Sequence, residues 1–252
     1  MKKFSLFILA LCIICVQPSP AQNSKKVDRS NYFLSAEQMP EATKFLPDPP
    51  AFGSEAFRLD SLVYEQGKRL RGTGRGLIAV QDANTSIRYV LKRFSAAMGR
   101  ELTPESYPKL ADLVKKSYST SRLSISHAKE YYHRKRPYQY FQEPSAVPEQ
   151  EEPNDLTSYP SGHTIRFWTA ALVLAALDPD HQDDILKTGY DMGQSRTIVG
   201  FHYQSDVDAA RLAASAAFAR MSVDPLWRKA FKKARRELQR NVTSLPQVSP
   251  GH

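Results

Sequence analysis

YPSGHTIRFWTAALVLAAL, residues 159–177, joins a short polar turn to the most apolar segment found outside the first 21 residues. Pro160 closes the turn. Either Ser161 or Thr164 can cap a helix, since a short side-chain oxygen accepts hydrogen bonds from amides that no helical carbonyl reaches. Residues 167–177 are apolar on nearly every helical face. A helix of that kind is buried on all sides, so the segment predicts the central helix of the fold.

The same junction has features of an anion site. Gly162 allows a ligand close to the backbone, and the free amides and positive dipole end of a helix start attract negative charge. His163 can take up or release a proton near neutral pH. A plain turn and helix cap beside an incidental histidine explain these residues equally well, so the stretch alone does not decide the function.

Apolar residues recur at helical spacing on both sides of this segment and predict an all-α fold. Strand signals are sparse, and neither a repeat nor a boundary between two domains is visible. We expect a compact single-domain helical bundle over residues 46–241, after a loose stretch at 22–45 and before a tail at 242–252. The proline-rich residues 46–50 predict an extended strap across its surface. The predicted helices cover residues 54–71, 77–94, 109–117, 122–135, 167–177, 183–195, 207–221 and 225–240.

Residues 1–21 have the pattern of a secretory signal peptide. Lys2 and Lys3 precede apolar residues 4–16, and small residues at 19–21 offer a cleavage site near Ala21. The apolar run is too short to span a bilayer comfortably, although an uncleaved membrane anchor is the alternative. Both cysteines, Cys12 and Cys15, fall in this segment, so the exported part has no disulfide. We expect a periplasmic protein with no membrane span after cleavage.

The formal net charge is +9, with lysines and arginines along the whole chain and densest at residues 228–240. The dense patch is typical of a solvated basic helix face. Neither zinc-ligand spacing nor an aromatic-basic sheet motif is present, so we expect no nucleic-acid partner. The charge can still attract anionic small molecules.

The first chemical cluster is KEYYHRKRP, residues 129–137. Lys129 and Arg136 are seven residues apart, so a helix would place them on one face, two turns apart, and Pro137 would end that helix at Arg136. An ammonium and a forked guanidinium on one face suit a phosphate-like anion. The alternative is an ordinary basic helix end, whose charges complement the helix dipole.

The last cluster is SRTIVGFHYQSD, residues 195–206. On a helix, Asp206 would lie beside His202 and hold one ring nitrogen, leaving the other free as a nucleophile or base. Arg196 could contact the anion that His202 attacks. The alternative is a polar pair near a helix start. His127, His133, His181 and His252 lack such a partner pattern and are interpreted as structural or surface residues.

Together, the three clusters supply three cations, a backbone anion site, two histidines and one carboxylate. This set is sufficient for phosphoryl transfer without a metal ion, because the cations and amides can hold the oxygens that carry the transition-state charge. One histidine would attack phosphorus, and the other would protonate the leaving oxygen.

These residues resemble the three-part signature of the type 2 phosphatidic acid phosphatase superfamily, which also includes vanadium haloperoxidases. The motifs, in order, are Lys129-x6-Arg136-Pro137, Pro160-Ser161-Gly162-His163 and Ser195-Arg196-x5-His202-x3-Asp206. The signal peptide, the length and the local text resemble its bacterial class A non-specific acid phosphatases over roughly residues 45–240.

The resemblance implies a compact all-helical enzyme that hydrolyses many phosphomonoesters at acid pH, requires no cofactor and is inhibited by vanadate. Some relatives transfer the phosphoryl group to alcohols, and relatives are often homo-oligomers. His202 would form a phosphohistidine, Asp206 would orient it, and His163 would be the general acid. The implied phosphate-binding residues are Lys129, Arg136, Ser161, Gly162 and Arg196.

Phe167 departs from this family pattern, because relatives often have glycine there. With Arg166 beside it, Phe167 could crowd or recharge the entrance of the site, and the acidic residues 150–155 could tune substrate choice. Three other functions stay open: a lipid phosphatase of the same superfamily, a vanadium haloperoxidase and a non-catalytic phosphate-binding protein. The absence of transmembrane helices after the signal argues against the lipid phosphatase.

Overall fold

The computed structural model describes residues 27–243. Within this range the chain forms ten α-helices and no strand, apart from a single parallel bridge between Arg134 and Thr157. The prediction of an all-α fold is confirmed. The proposed signal peptide at residues 1–21 lies outside the described residues. The helices are α1 Glu55–Leu70, α2 Gly74–Gln81, α3 Ile87–Phe94, α4 Pro108–Leu123, α5 Ser126–Tyr132, α6 Pro137–Phe141, α7 Gly162–Leu177, α8 Gln182–Ile198, α9 Gln204–Ser222 and α10 Pro225–Thr243.

Helix α7 is the centre of the bundle, as its apolar sequence predicts. It packs against α4, α8 and α9. Most of its apolar side chains are buried, but the face that carries Trp168, Leu172 and Ala175 is partly exposed, so burial is less complete than the sequence predicts. Those with no exposed surface are Ile165, Phe167, Ala170, Ala171, Val173 and Leu174.

Small residues allow the helices around α7 to approach closely. A Cβ atom added to Gly189 in α8 would lie 2.4 Å from the Cβ of Ala171 in α7, so only glycine fits at this crossing. The alanine-rich helix α9 buries five alanines, which places this part of α9 in the core. They are Ala209, Ala210, Ala213, Ala214 and Ala217.

The predicted helix over residues 77–94 is wrong, because this segment forms two helices, α2 and α3, with a turn between them. The turn is stabilised locally: Asn84 Oδ1 accepts a hydrogen bond from the Ser86 amide at 2.8 Å. Ser86 Oγ then caps α3 by accepting from the Tyr89 amide at 3.3 Å. Short polar side chains that bond to nearby amides offer the backbone an alternative to a continuous helix.

The predicted helix over residues 122–135 is also wrong. Helix α5 ends at Tyr132 because His133 takes a left-handed conformation with φ of 45°. Arg136 is extended and precedes the first residue of α6, Pro137, which disfavours helical backbone at Arg136. Lys129 and Arg136 therefore do not share a helix face, and their proximity has to come from tertiary structure.

The remaining surface features agree with the sequence. In the proline-rich strap, the Pro47 carbonyl accepts a hydrogen bond from Tyr159 Oη at 2.6 Å, which ties the strap to the loop before α7. Helix α10 buries Trp227, which stacks on Phe231 with ring centroids 4.9 Å apart, and exposes basic side chains on its other faces. Among residues 27–243, no helix has both the length and the apolar character needed to cross a membrane.

Candidate active site

The three motifs meet at the start of α7, although they lie on separate elements. Arg136 Nη1 is 3.1 Å from His202 Nε2. Lys129 Nζ and Arg136 Nη2 both donate to the carbonyl of Thr157. The Ser161 amide donates to the Asp206 carbonyl at 3.0 Å. These contacts join α5, the loop before α6, the loop before α7 and the start of α9 at one place.

Ser161 is the cap of α7, and its Oγ accepts a hydrogen bond from the Thr164 amide at 3.3 Å. Of the two cap candidates, Ser161 is therefore correct. The Lys129 side chain passes close to the start of α7. A Cβ atom added to Gly162 would lie 3.6 Å from Lys129 Cε. An ammonium group beside the free amides of a helix start strengthens the positive potential there.

His202 lies just before α9, at the end of a tight turn. Gly200 forms that turn with φ of 75°, a left-handed conformation that glycine adopts at low cost. Asp206 Oδ2 accepts from His202 Nδ1 at 3.3 Å and from the Tyr203 amide at 2.9 Å. The predicted contact between His202 and Asp206 is present, but it arises from a helix cap, since His202 is outside the helix.

The hydrogen bonds define the resting state of the His202 ring. Asp206 is an acceptor, so Nδ1 carries the hydrogen. The Arg136 guanidinium can only donate, so Nε2 presents its lone pair to Nη1. Nε2 is therefore the ring nitrogen with a lone pair, and it faces the Arg136 guanidinium.

Charge and burial keep this pair in the reactive state. Burial, together with the cations of Arg136 and Lys129, lowers the pKa of His202 to about 3, against the raising effect of Asp206. Burial alone would raise the pKa of Asp206, but Arg134 and the His202 hydrogen bond lower it well below its usual value. A neutral imidazole held by an ionised carboxylate is the arrangement that an activated histidine needs.

Arg196 is fully buried, and none of its three side-chain nitrogens has a hydrogen-bond partner. Burial, followed by the charge of Arg136, lowers the pKa of Arg196 to about 9, so the group is still cationic at neutral pH. An unpaired buried cation is costly and demands a counter-charge. The Arg196 guanidinium lies over the ring of Phe201, 4.9 Å from the ring centroid. Phe201 directly precedes His202 in the chain.

Lys129 is a second cation without a carboxylate partner within residues 27–243. Burial and the neighbouring Arg136 lower the pKa of Lys129 to about 7. Arg136, in contrast, has an ion pair, since its Nε donates to Asp155 Oδ2 at 2.7 Å. The acidic segment at residues 150–155 thus reaches the site through Asp155.

His163 projects from the first turn of α7, and its Nε2 is 3.1 Å from the carbonyl oxygen of Ala83. A carbonyl only accepts, so Nε2 carries the hydrogen and Nδ1 is the ring atom left for proton transfer. Burial, then Arg196 and His202, lower the pKa of His163 well below its usual value. The resting ring is therefore neutral.

Sequence reasoning missed the residues that support this site. Arg134 bridges two buried carboxylates, donating to Asp206 and, at 2.9 Å, to Asp60 of α1. Ser158 Oγ donates to Asp206 Oδ2 at 2.6 Å. Asp60 lies on the polar side of a predicted helix, and only its burial distinguishes it from a surface residue. Arg134 stands inside the first motif, where its charge resembles that of its neighbours.

The two departures from the family pattern differ in position. Phe167 is fully buried in the core and so does not crowd the entrance. Arg166 is half-buried and donates to Thr85 Oγ1 at 2.7 Å. An open groove of about 620 Å³ lies beside Arg136 and Asp155, bordered by the residues that flank them in the chain.

Comparison with known proteins identifies the class. The PAP2 superfamily matches residues 117–229, a range that contains all three motifs. The chain is 39% identical over 220 residues to a non-specific acid phosphatase of Providencia stuartii, covering 86% of this chain and 89% of that protein. The chain belongs to the PAP2 superfamily.

Two further relatives are also bacterial acid phosphatases. A non-specific acid phosphatase of Salmonella typhimurium is 35% identical, over 82% of this chain and 83% of that protein. An acid phosphatase of Zymomonas mobilis is 34% identical, over 90% of this chain and 85% of that protein. The resemblance to bacterial class A non-specific acid phosphatases, drawn from the signal peptide, the length and the local text, is confirmed.

Proposed function

We propose that this protein is an exported acid phosphatase that hydrolyses a broad range of phosphomonoesters through a phosphohistidine on His202, without a metal ion. Its family and its acid phosphatase relatives support the enzyme class. Export rests on the signal peptide predicted for residues 1–21, with release into the periplasm. The covalent mechanism and the metal independence rest on the geometry of the site.

The observation that carries the proposal is the group of unpaired cations beside His202 Nε2. Within residues 27–243, the side-chain nitrogens of Arg196 have no hydrogen-bond partner, and Lys129 Nζ donates only to the Thr157 carbonyl. A phosphoryl group bound here supplies the missing negative charge and takes hydrogen bonds from both residues, from Arg136 and from the first amides of α7. Fixed cations of this kind can provide the charge stabilisation that metal ions provide elsewhere.

In the first step, His202 Nε2 attacks phosphorus, forming an N–P bond while the ester P–O bond breaks. The electron pair of that bond leaves with the alcohol oxygen, which takes a proton from His163 Nδ1. Arg136 Nη1, now hydrogen-bonded to His202 Nε2, turns to a phosphate oxygen and so frees the lone pair. Asp206 stabilises the positive charge that develops on the His202 ring.

In the second step, a water molecule attacks phosphorus and gives a proton to His163 Nδ1. The N–P bond breaks, and its electron pair returns to His202 Nε2. Inorganic phosphate then leaves with the proton from His163 Nδ1, which restores the neutral ring. An alcohol in place of water would accept the phosphoryl group by the same route, which gives the phosphotransferase activity.

The acid requirement follows from His163. Its resting ring is neutral because burial and nearby cations lower its pKa, so Nδ1 has no proton to give. A phosphate monoester has its second pKa near 6, so below about that pH the substrate is a monoanion that carries a proton into the site. Transfer of that proton to Nδ1 charges the ring while the bound phosphate offsets the cations around it.

The proposal is tested by measuring release of phosphate from p-nitrophenyl phosphate and a nucleoside monophosphate across pH, with and without a chelator. We expect turnover that is fastest below neutral pH, survives the chelator and falls at least about a thousandfold in His202→Ala. Loss of activity in the chelator would contradict the metal-free mechanism. Faster turnover of phosphatidic acid in detergent than of the nucleotide would instead favour a lipid phosphatase.

A further inference from the structure

Arg166 is a cation for which the proposed mechanism has no use. It is half-buried on α7, one turn after His163, and its Nε has no hydrogen-bond partner. Its one side-chain hydrogen bond is the contact from Nη1 to the neutral Thr85 hydroxyl. Within the described part of the chain, no carboxylate forms an ion pair with it. A partly desolvated guanidinium without a counter-charge is destabilising, so this position favours the binding of an anion.

A second arginine lies near Arg166. Tyr118 and Arg122 are one turn apart on α4, which packs against α7. Burial, and after it the charge of exposed Arg122, lower the pKa of Arg166 to about 10, so Arg166 is still cationic at neutral pH. Arg122 also has no ion pair within residues 27–243. Two neighbouring like charges repel each other until an anion binds between them.

The position of this pair relative to the phosphoryl site follows from the helix. Gly162 and Arg166 are four residues apart on α7, a rise of about 6 Å. Helical side chains lean toward the N-terminus, so Arg166 covers the turn that carries His163. Both side chains bond to the same loop between α2 and α3, His163 at Ala83 and Arg166 at Thr85. The charge of Arg122 also acts on Lys129. Together with burial and the charge of Arg136, it lowers the pKa of Lys129.

We propose that Arg166 and Arg122 form a second anion subsite at the mouth of the phosphoryl site, on the side of the leaving group, which binds a second phosphate of the substrate. The preferred substrates are then bisphosphorylated molecules, in which a few atoms of the leaving group separate the two phosphates. This inference rests on the proposed function, because it takes the first phosphate to be held at His202. Each arginine would bind the second phosphate by charge-assisted hydrogen bonds.

The test measures affinity by calorimetry in a His202→Ala background, so that it does not depend on turnover. The probes are adenosine 3′,5′-bisphosphate and adenosine 5′-monophosphate, at one fixed ionic strength. We expect the bisphosphate to bind at least about tenfold more tightly than the monophosphate, a difference typical of one added charge-assisted hydrogen bond. Arg166→Gln and Arg122→Gln should each reduce that ratio toward one.

Arg228→Gln is the matched control, since it removes the same charge from an exposed position on α10 and should leave the ratio unchanged. Equal affinity for the two probes in the His202→Ala protein would overturn the proposal, as would an unchanged ratio in the arginine variants. Arg122 is exposed, so Arg122→Gln decides the question even where Arg166→Gln does not fold. Failure of the proposed function would appear separately, as absence of turnover by the wild-type enzyme.

Discussion

At the scale of single residues, Lys129 links the charge of the site to pH. Burial and Arg136 lower its pKa to about 7 in the free protein. Below that pH Lys129 carries a proton and attracts the substrate anion, and above it the charge is lost. The kcat/KM value reports the free enzyme and the free substrate. It should therefore fall above about pH 6, where the substrate loses its proton, and fall more steeply above about pH 7, where Lys129 loses its charge.

The replacement Lys129→Arg tests this dependence. Arginine stays protonated to far higher pH, so the additional fall of kcat/KM above about pH 7 should disappear, while the fall caused by the substrate near pH 6 should remain. The measurement is a profile of p-nitrophenyl phosphate hydrolysis from acid to alkaline pH. An equally steep fall above pH 7 in this variant would show that a group other than Lys129 causes it.

Some residue roles follow from sequence and others do not. The four-residue spacing of His202 and Asp206 predicted their contact, because a helix cap and a helix turn bring such residues equally close. Arg134 could not be identified in that way. Its partners Asp60 and Asp206 are 74 and 72 residues away, and local spacing contains no information about such contacts.

At the scale of elements, the packing of α7 against α8 depends on Gly189. A methyl group there would overlap the Ala171 side chain, so Gly189→Ala should lower the free energy of unfolding by about 1–3 kcal/mol. This loss should outweigh the gain in helix propensity that alanine normally brings. For a domain of this size, Tm should fall by about 2–4 °C per kcal/mol, measured by thermal unfolding.

Gly74→Ala is the control for this substitution. Gly74 is the first residue of α2, and a Cβ added there meets nothing within 4 Å. Its Tm should stay close to that of the wild type. Equal Tm values for the two variants would mean that α7 and α8 do not depend on the close approach at Gly189.

Helix existence was easier to predict than helix ends. The run at residues 167–177 predicted α7 because a helix that is buried on most of its faces is apolar along nearly its whole length. The breaks after Gln81 and Tyr132 escaped prediction, since the apolar spacing continues across both. At the second break, left-handed His133 ends α5 and Arg136 is extended, so Lys129 and Arg136 do not lie on one helix. Tertiary packing then brings them together.

At the scale of the whole molecule, binding of an anion should stabilise the fold. The unpaired charges of Arg196 and Lys129 destabilise the empty protein, and a bound oxyanion offsets them. Vanadate at a hundred times its dissociation constant should add about 2.7 kcal/mol to the free energy of unfolding, seen as a rise in Tm. Arg196→Met should remove most of this rise, whereas the exposed variant Arg228→Gln should keep it. A Tm that vanadate does not change would contradict the assignment of the anion site.

The convergence of the motifs is also a property of the whole molecule. Their order along the chain indicated the family, but not which elements carry them. The three motifs lie on α5, α7, α8 and the adjoining loops. They meet because α7 is central and the loops before α6 and α9 both lie against its start. Residue spacing suggested the chemistry that is proposed for each motif, and the fold brings the three motifs to one place.

The central claim is that His202 becomes covalently phosphorylated during turnover. Its most direct test is a rapid quench of the working enzyme into alkaline denaturant, which preserves an N–P bond, followed by mass mapping of the modified peptide. The substrate is p-nitrophenyl phosphate, whose leaving group departs without a proton. We expect one phosphoryl group on His202, absent from His202→Ala and more abundant in His163→Asn, because the attack of water still needs His163. Rapid turnover with no phosphoryl group on His202 at any quench time, or with the group on another residue, would contradict the account.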